Sequence, residues 1–199
     1  MAAVVVFDVG GVLVEWEPHL AWLDALGSRE AVEAFMARID FPARNQRADA
    51  GESFAALAAE LDDPEDAHLL AEYVALFPRT LPRAIEGSWA LLDRLADRGV
   101  PIHAITNWSA EAWPRGLTAY PRLGTAFGVT VVSGQEGVAK PDRRIFDILC
   151  ARAGVAAGDC VFIDDSPPNI EGARAAGMDG IRFTSPAMLE RELAERGLL

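Results

Sequence analysis

The stretch VVVFDVGG, residues 4–11, places an unbroken apolar run directly before an acid and a pair of glycines. An apolar run without alternation is typical of a strand buried on both faces, as in a parallel sheet. The glycines indicate a tight turn immediately after the strand. The stretch therefore predicts the first strand of an α/β fold, with Asp8 at its carboxyl end.

Similar short apolar runs recur along the chain and alternate with helical patterns. They predict strands at 101–106, 129–133, 160–164 and 180–183, and helices at 88–98, 141–153 and 169–176. Pro141 suits the start of one of these helices and Gly154 its end. Strands alternating with helices of this length indicate βαβ units, so we expect an α/β protein with a parallel sheet.

The alternation is interrupted after the first strand, where the pattern is helical only. Helices are predicted at 19–26, 28–39, 53–61 and 64–77. We interpret this part as an all-helical insertion packed over one edge of the sheet. The predicted organisation is a core domain of residues 1–16 and 83–199 and a helical cap domain of residues 17–82.

Composition limits the classes of function. The chain has 199 residues, of which 51% are apolar, enough for a substantial core. Its net charge of −12 opposes binding to nucleic acid or to anionic lipid. Its apolar runs are shorter than the roughly 18 residues of a membrane span, and the run at 2–7 is too short for a signal peptide. We expect a cytoplasmic monomer or homodimer with two reduced thiols, Cys150 and Cys160, and with no nucleic-acid or membrane partner.

Polar side chains follow four of the predicted strands, where ligands of an open parallel sheet bind. They are Asp8, Thr106 with Asn107, Lys140, and Asp164 with Asp165. Acids that meet at one edge repel each other unless a cation lies among them, and such hard oxygen ligands suit Mg²⁺. Lys140 is the only lysine in a chain with 18 basic residues, and its ammonium suits a phosphate.

The segments that carry these residues also match a known set of motifs. They are FDVGGVL at 7–13, ITN at 105–107, KP at 140–141 and FIDDS at 162–166. In this order they resemble the four motifs of the haloacid dehalogenase-like (HAD) hydrolase superfamily, and the insertion is similar to its small helical cap. The resemblance spans nearly the whole chain. It implies a Rossmann-like, doubly wound parallel core and a phosphatase that acts on a small phosphorylated metabolite, such as a sugar phosphate.

The resemblance also implies a catalytic role for several of these residues. Asp8 is expected to attack phosphorus and to form an aspartyl-phosphate, which water then hydrolyses. The Thr106 hydroxyl and the Asn107 backbone are expected to hold phosphoryl oxygens. Lys140 is expected to neutralise both the phosphate and the nucleophile.

The metal site implied by the resemblance includes one departure from the family pattern. Mg²⁺ is expected on the carboxylates of Asp8 and Asp165 and on the backbone carbonyl of Gly10, with Asp164 as a direct or water-mediated partner. Family phosphatases usually carry an acid at the position of Gly10, which acts as general acid and base and is typically worth ~10²–10⁴ in rate. The candidates for its replacement are polar residues just beyond the turn: Glu15, Glu17 and His19.

Residues 44–47 are polar and lie between two predicted cap helices. In similar proteins a cap loop at this place faces the active site, which predicts Arg47 as a substrate-binding residue. The alternative is a solvated helix end. Alternatives also exist for the acids, since Asp8 alone is an ordinary end to a strand and the pair at 164–165 suits a helix N-cap before Pro167.

Two other functions are compatible with the sequence. A metal-independent 2-haloacid dehalogenase shares the fold and the aspartate nucleophile, but the acidic pair at 164–165 would repel its carboxylate substrate. A phosphometabolite-binding protein with weak or lost turnover would explain Gly10 in place of the acid.

Overall fold

The fold was determined as a computed structural model that describes residues 4–199; residues 1–3, the start of the predicted core domain, lie outside the described residues. The strands are β1 (Val4–Phe7), β2 (Ile102–Thr106), β3 (Thr130–Val132), β4 (Cys160–Asp164) and β5 (Asp179–Arg182). They form one parallel sheet in the order β3-β2-β1-β4-β5. The predicted fold class, an α/β protein with a Rossmann-like parallel sheet, is confirmed.

The central strand β1 is apolar throughout because helices and loops cover both of its faces. Val5 and Phe7 belong to an apolar cluster on one side of the sheet, which extends into the helical residues after β1. Val4 and Val6 belong to a second cluster on the other side. All four side chains are buried, as the absence of alternation in the sequence predicts.

Helices surround the sheet and fill the segment between β1 and β2. They are α1 (Leu23–Leu26), α2 (Arg29–Arg38), α3 (Phe41–Asp49), α4 (Phe54–Ala58), α5 (Pro64–Ala71), α6 (Tyr73–Leu76), α7 (Glu86–Asp97), α8 (Ala112–Ala119), α9 (Ser133–Glu136), α10 (Arg143–Ala153), α11 (Pro167–Ala175) and α12 (Pro186–Glu195), with 3₁₀ turns at Pro18–Ala21, Phe77–Thr80, Pro121–Gly124 and Ala157–Asp159. Helices α7 and α12 pack together on one side of the sheet, and α10 and α11 on the other.

We call the segment from Pro18 to Thr80 the helical insertion. Its centre is aromatic: Trp22 stacks on Tyr73 with ring centroids 5.1 Å apart and meets the edges of Phe35 and Phe41. The Trp22 indole also donates a 2.8 Å hydrogen bond to the Leu69 carbonyl, so its polar atom is satisfied. Such ring pairs contribute about 0.5–1.5 kcal/mol each beyond area burial, which gives these short helices a common core.

The two segments that connect the helical insertion to the sheet run side by side. The Glu15 N–H donates to the Arg83 carbonyl at 2.9 Å, and the Ile85 N–H donates to the Leu13 carbonyl at 2.8 Å. The helical insertion therefore enters and leaves the core next to the turn that follows β1, at the carboxyl edge of the sheet.

Helix α3 differs from the sequence-based expectation, which treated residues 44–47 as a connection between helices. Only Phe41 and Ala48 of this helix are buried, so its apolar periodicity is too sparse to indicate a helix. The predicted helix at 64–77 is divided into α5 and α6, while α8, α9 and α12 were not predicted. Within the described residues, the helices are all too short or too polar to cross a lipid bilayer.

Candidate active site

The single lysine lies at the centre of the site. The Lys140 Nζ is 2.9 Å from Asp8 Oδ1 and 2.6 Å from Asp164 Oδ2, and it also donates a 3.0 Å hydrogen bond to the Ile105 carbonyl. Its side chain is fully buried. Burial lowers the pKa of this ammonium, but attraction to the two carboxylates outweighs burial and leaves the pKa raised. The two carboxylates therefore favour the charged form of Lys140.

Asn107, which follows β2, fixes the backbone of Lys140. Its side-chain amide donates to the Lys140 carbonyl and its side-chain oxygen accepts from the Lys140 N–H, both at 2.9 Å. This reciprocal pair ties the end of β2 to the segment after α9. The sequence analysis assigned only the Asn107 backbone to the site and missed this positioning role of the side chain.

Asp8 comes directly after β1, and its carboxylate is oriented by two donors. Oδ1 accepts from Lys140 and, at 2.7 Å, from the Val9 N–H. Oδ2 accepts no hydrogen bond from the described residues, so this oxygen is available to a ligand. Burial raises the pKa of Asp8, Lys140 opposes the rise, and the negative charge of Asp164 adds to it.

Asp164 and Asp165, at the end of β4, differ in their surroundings. Asp164 is fully buried; its Oδ1 accepts from the Ser166 N–H at 2.8 Å, and the Asn169 amide lies 3.1 Å from both of its oxygens. Asp165 is more exposed and forms no ion pair within the part of the chain that the structure describes. Burial and the neighbouring Asp164 raise the pKa of Asp165.

The three acids converge on one point. Carboxylate oxygens of Asp8, Asp164 and Asp165 all lie within 4.8 Å of one another. Gly11, at φ 76°, permits this approach, because a Cβ at that position would lie 2.5 Å from Asp165 Oδ2. One ammonium does not balance three carboxylates, and this donor set fits a hard divalent cation such as Mg²⁺.

Thr106, the last residue of β2, carries an unsatisfied hydroxyl. Its Oγ1 is buried without a hydrogen-bond partner among residues 4–199. An unsatisfied buried group costs about 1–3 kcal/mol, so such a group calls for an explanation. Because Thr106 lines the cavity beside Asp8, we expect an oxygen of a bound ligand to accept a hydrogen bond from this hydroxyl.

A cavity of about 270 Å³ lies between this edge of the sheet and the helical insertion. One end carries Asp8, Asp165 and Thr106. Its walls are mainly aromatic and come from both parts of the chain: Trp16, Phe54, Tyr73, Phe77 and Trp108. A second cavity of about 380 Å³ adjoins it and reaches Lys140.

Most of the residues that the sequence assigned to the site meet there, namely Asp8, Gly10, Thr106, Asn107, Lys140, Asp164 and Asp165. Arg47 does not. Its guanidinium donates to Glu52 and Glu60 on the surface of the helical insertion, with the shortest contact of each pair at 2.6 Å.

The same helix instead presents Asn45 and Asp49, which line both cavities. Residues four apart share a helix face, whereas residue 47 lies on another face, and this explains the difference. Asn45 belongs to the polar stretch 44–47 in which the sequence predicted only Arg47 as a binding residue, and Asp49 was not predicted at all, because the segment was interpreted as a loop. An i, i+4 pair of polar residues was the available signal.

The proposed replacements for the acid missing at Gly10 also lie elsewhere. Glu15 pairs with Arg83, and Glu17 lies 3.6 Å from His19. Trp108 occupies the space beside Gly10, since a Cβ there would lie 3.3 Å from its indole nitrogen. A larger side chain at position 10 would have to displace this ring.

Comparison with known proteins supports the motif analysis. A sequence profile of the haloacid dehalogenase-like hydrolases matches residues 2–177. A phosphoglycolate phosphatase of Rhodospirillum rubrum is 31% identical over 193 residues, which cover 89% of this chain and 78% of that protein. Flavin mononucleotide hydrolase 1 of Arabidopsis thaliana is 32% identical over 114 residues, 57% of this chain and 46% of that protein. The match therefore spans less than half the length of the plant protein.

Solved structures share the fold at low sequence identity. A HAD family enzyme of Bacteroides thetaiotaomicron in complex with magnesium and inorganic phosphate has a TM-score of 0.69 at 20% identity, covering 93% of this chain and 96% of that chain. An L-2-haloacid dehalogenase of Xanthobacter autotrophicus with covalently bound chloropropionic acid has a TM-score of 0.70 at 17% identity, covering 100% and 85%. At these identities the likeness shows the fold alone.

Replacing Lys140 tests the charge balance of the site. Lys140→Met leaves two buried carboxylates without their partner, so we expect the free energy of unfolding to fall by about 3–5 kcal/mol, measured by urea denaturation without divalent cations. Arg152→Met, which removes a surface ion pair with Glu136, is the control and should change it by less than ~1 kcal/mol. Equal effects of the two variants would contradict the central role of Lys140.

Proposed function

The chain belongs to the haloacid dehalogenase-like hydrolases, and from this membership and the geometry of the site we propose a Mg²⁺-dependent phosphatase that acts on a small phosphorylated metabolite through Asp8. The observation that carries the proposal is the convergence of three carboxylates and one buried ammonium beside the unpartnered Thr106 hydroxyl. A phosphoryl group brings the acceptor oxygen that Thr106 lacks, and a divalent cation balances the acids.

Asp8 is the proposed nucleophile. Lys140 and the Val9 N–H hold its Oδ1, which leaves Oδ2 to attack phosphorus as the ester bond breaks. The resulting aspartyl-phosphate is hydrolysed by water, which restores the carboxylate. The Lys140 charge reduces repulsion between the carboxylate and the incoming phosphate, which is an electrostatic contribution present before the substrate arrives.

The proposed Mg²⁺ ligands are the carboxylates of Asp8 and Asp165 and the Gly10 carbonyl. Asp164 already uses its oxygens on Lys140, Ser166 and Asn169, which favours a water-mediated role for it. Bound Mg²⁺ supplies positive charge to the phosphoryl oxygens and to the acids around them. The Thr106 hydroxyl donates to a phosphoryl oxygen, which satisfies its missing hydrogen bond.

The cavity limits the substrate. A volume of about 270 Å³ suits a compact phosphate ester rather than a phosphoprotein. Apart from Lys140, the residues that line the two cavities carry no positive charge. This lining favours an uncharged leaving group, such as a sugar or another neutral alcohol.

A haloacid dehalogenase is the second candidate, because the fold of such an enzyme matches 100% of this chain. Its carboxylate substrate would meet the negative charges of Asp8 and Asp165, and Lys140 is already paired with Asp8 and Asp164. No basic residue lines the cavity beside Asp165 to offset this repulsion. The charges of the site therefore favour the phosphatase.

Replacing the nucleophile and removing the metal test the proposal. We expect Mg²⁺-dependent phosphate release from a panel of sugar and nucleotide monophosphates, its loss with EDTA, and a fall of at least ~10³-fold in Asp8→Asn because the covalent route is blocked. Chloride release from 2-chloropropionate is measured in parallel. Chloride release that EDTA does not affect would favour the dehalogenase, and tight binding of a phosphometabolite without product would favour a binding protein.

Thr106→Val tests the unpartnered hydroxyl. Because the hydroxyl has no partner among residues 4–199, we expect the free energy of unfolding to stay constant or to rise by about 1 kcal/mol, while kcat falls by roughly 10²-fold. The control is Thr80→Val, since the buried Thr80 hydroxyl donates to the Phe77 carbonyl at 2.7 Å. Thr80→Val should lower the free energy of unfolding and leave kcat unchanged. The same pattern in both variants would argue against a ligand at Thr106.

A further inference from the structure

We propose that Asp49 of the helical insertion is the general acid and base of the reaction, in place of the acid that is absent at Gly10. The assignment rests on the proposed phosphatase function and adds a catalytic residue to it. Gly10 carries no proton donor, and the Trp108 indole occupies the space beside it. A proton must therefore reach the leaving oxygen from another side of the cavity.

Asp49 lies on the side of the cavity opposite the sheet. It is the last residue of α3 and lines the same cavity as Asp8 and Thr106. It also lines the adjoining cavity together with Lys140. Among the residues that line the two cavities, Asp8, Asp165 and Asp49 are the carboxylic acids, and the first two belong to the proposed metal site.

The Asn45 amide holds the Asp49 carboxyl in place by donating to Oδ2 at 2.8 Å. The backbone of Ser109 lies near this carboxyl and opposes the rise of its pKa. Ser109 follows β2 and lines the same cavity as Thr106 and Asn107. The acid from the helical insertion therefore faces the residues proposed to hold the phosphate, as a catalytic acid requires.

The surroundings of Asp49 suit proton donation. Burial raises the pKa of its carboxyl well above the usual value, although Lys140 opposes the rise and the negative charge of Asp8 adds to it. The Tyr73 hydroxyl is the other titratable group near it, and burial raises its pKa too, so it stays neutral. A carboxyl with a raised pKa is protonated over a wider pH range and can act as an acid in the first step.

The proton balance of the two steps is complete. As Asp8 forms its bond to phosphorus and the ester bond breaks, the Asp49 carboxyl transfers its proton to the leaving oxygen, which departs as an alcohol. The Asp49 carboxylate then accepts a proton from the water that attacks the aspartyl-phosphate. Phosphate leaves, and Asp8 and Asp49 return to their starting states.

The test compares two esters that differ in the basicity of the leaving group and share a ring of similar size, phenyl phosphate and 4-nitrophenyl phosphate. The 4-nitrophenolate leaves without a proton, whereas phenolate benefits from one. In Asp49→Asn we expect kcat/KM, which reports the steps up to departure of the leaving group, to fall by ~10²–10⁴ for phenyl phosphate and by less than ~10-fold for 4-nitrophenyl phosphate. Asp62→Asn makes the same substitution at an exposed site of the helical insertion and should leave both values unchanged.

The outcomes separate the assignment from the proposed function. If kcat/KM falls by the same factor for both esters in Asp49→Asn, Asp49 has a structural or binding role and the assignment is wrong. If the wild-type protein releases phosphate from neither ester, the phosphatase proposal itself falls. Asp49→Ser is measured beside Asp49→Asn, with urea denaturation of both, so that a folding defect in one variant does not decide the result.

Discussion

The buried ammonium of Lys140, held between the carboxylates of Asp8 and Asp164, is the interaction on which the rest of the site depends. It joins the ends of β1 and β4 to the segment that follows β3, through contacts of 2.9 and 2.6 Å. Removing a charge from water costs several kcal/mol, and the arrangement is stable only because each charge meets an opposite one and further hydrogen bonds satisfy the remaining atoms. Asn107 and the Ile105 carbonyl supply such bonds. The sheet order brings these segments together, so the fold and the charge balance support each other.

The helical insertion forms the walls of the cavity above the acids and Lys140 at the edge of the sheet. Its own aromatic core holds Tyr73 and Phe54 where they line the cavity, and α3 brings Asn45 and Asp49 over the acids. The apolar walls reduce the water around the charges, which strengthens the electrostatic interactions between them. We therefore propose that the two parts of the chain have different chemical roles. The sheet supplies the nucleophile and the phosphate site, and the helical insertion supplies the proton and selects the leaving group.

The sequence predicted the sheet, and the acids and the lysine that it placed after the strands lie together in the structure, for a physical reason. Buried parallel strands such as β1 and β4 are uninterrupted apolar runs, and side chains at their carboxyl ends must meet at one edge. The helical insertion was harder to predict because α3 has little apolar periodicity. Arg47 was therefore predicted as the substrate-binding residue, whereas Asp49 of the same helix lines the cavity. The contacts of Asn107 with Lys140 join positions 33 residues apart, and no local pattern indicates them.

Beryllium trifluoride offers the most direct test of the central claim, because it binds a carboxylate as a phosphoryl analogue and needs a neighbouring cation. Fluorine NMR of the protein with beryllium fluoride, recorded with and without Mg²⁺, reports whether Asp8, the acids and Lys140 form one phosphoryl site. The account predicts protein-bound fluorine resonances that require Mg²⁺ and disappear in Asp8→Ala. Bound resonances that persist without Mg²⁺ or in that variant, or their absence under every condition, would contradict it.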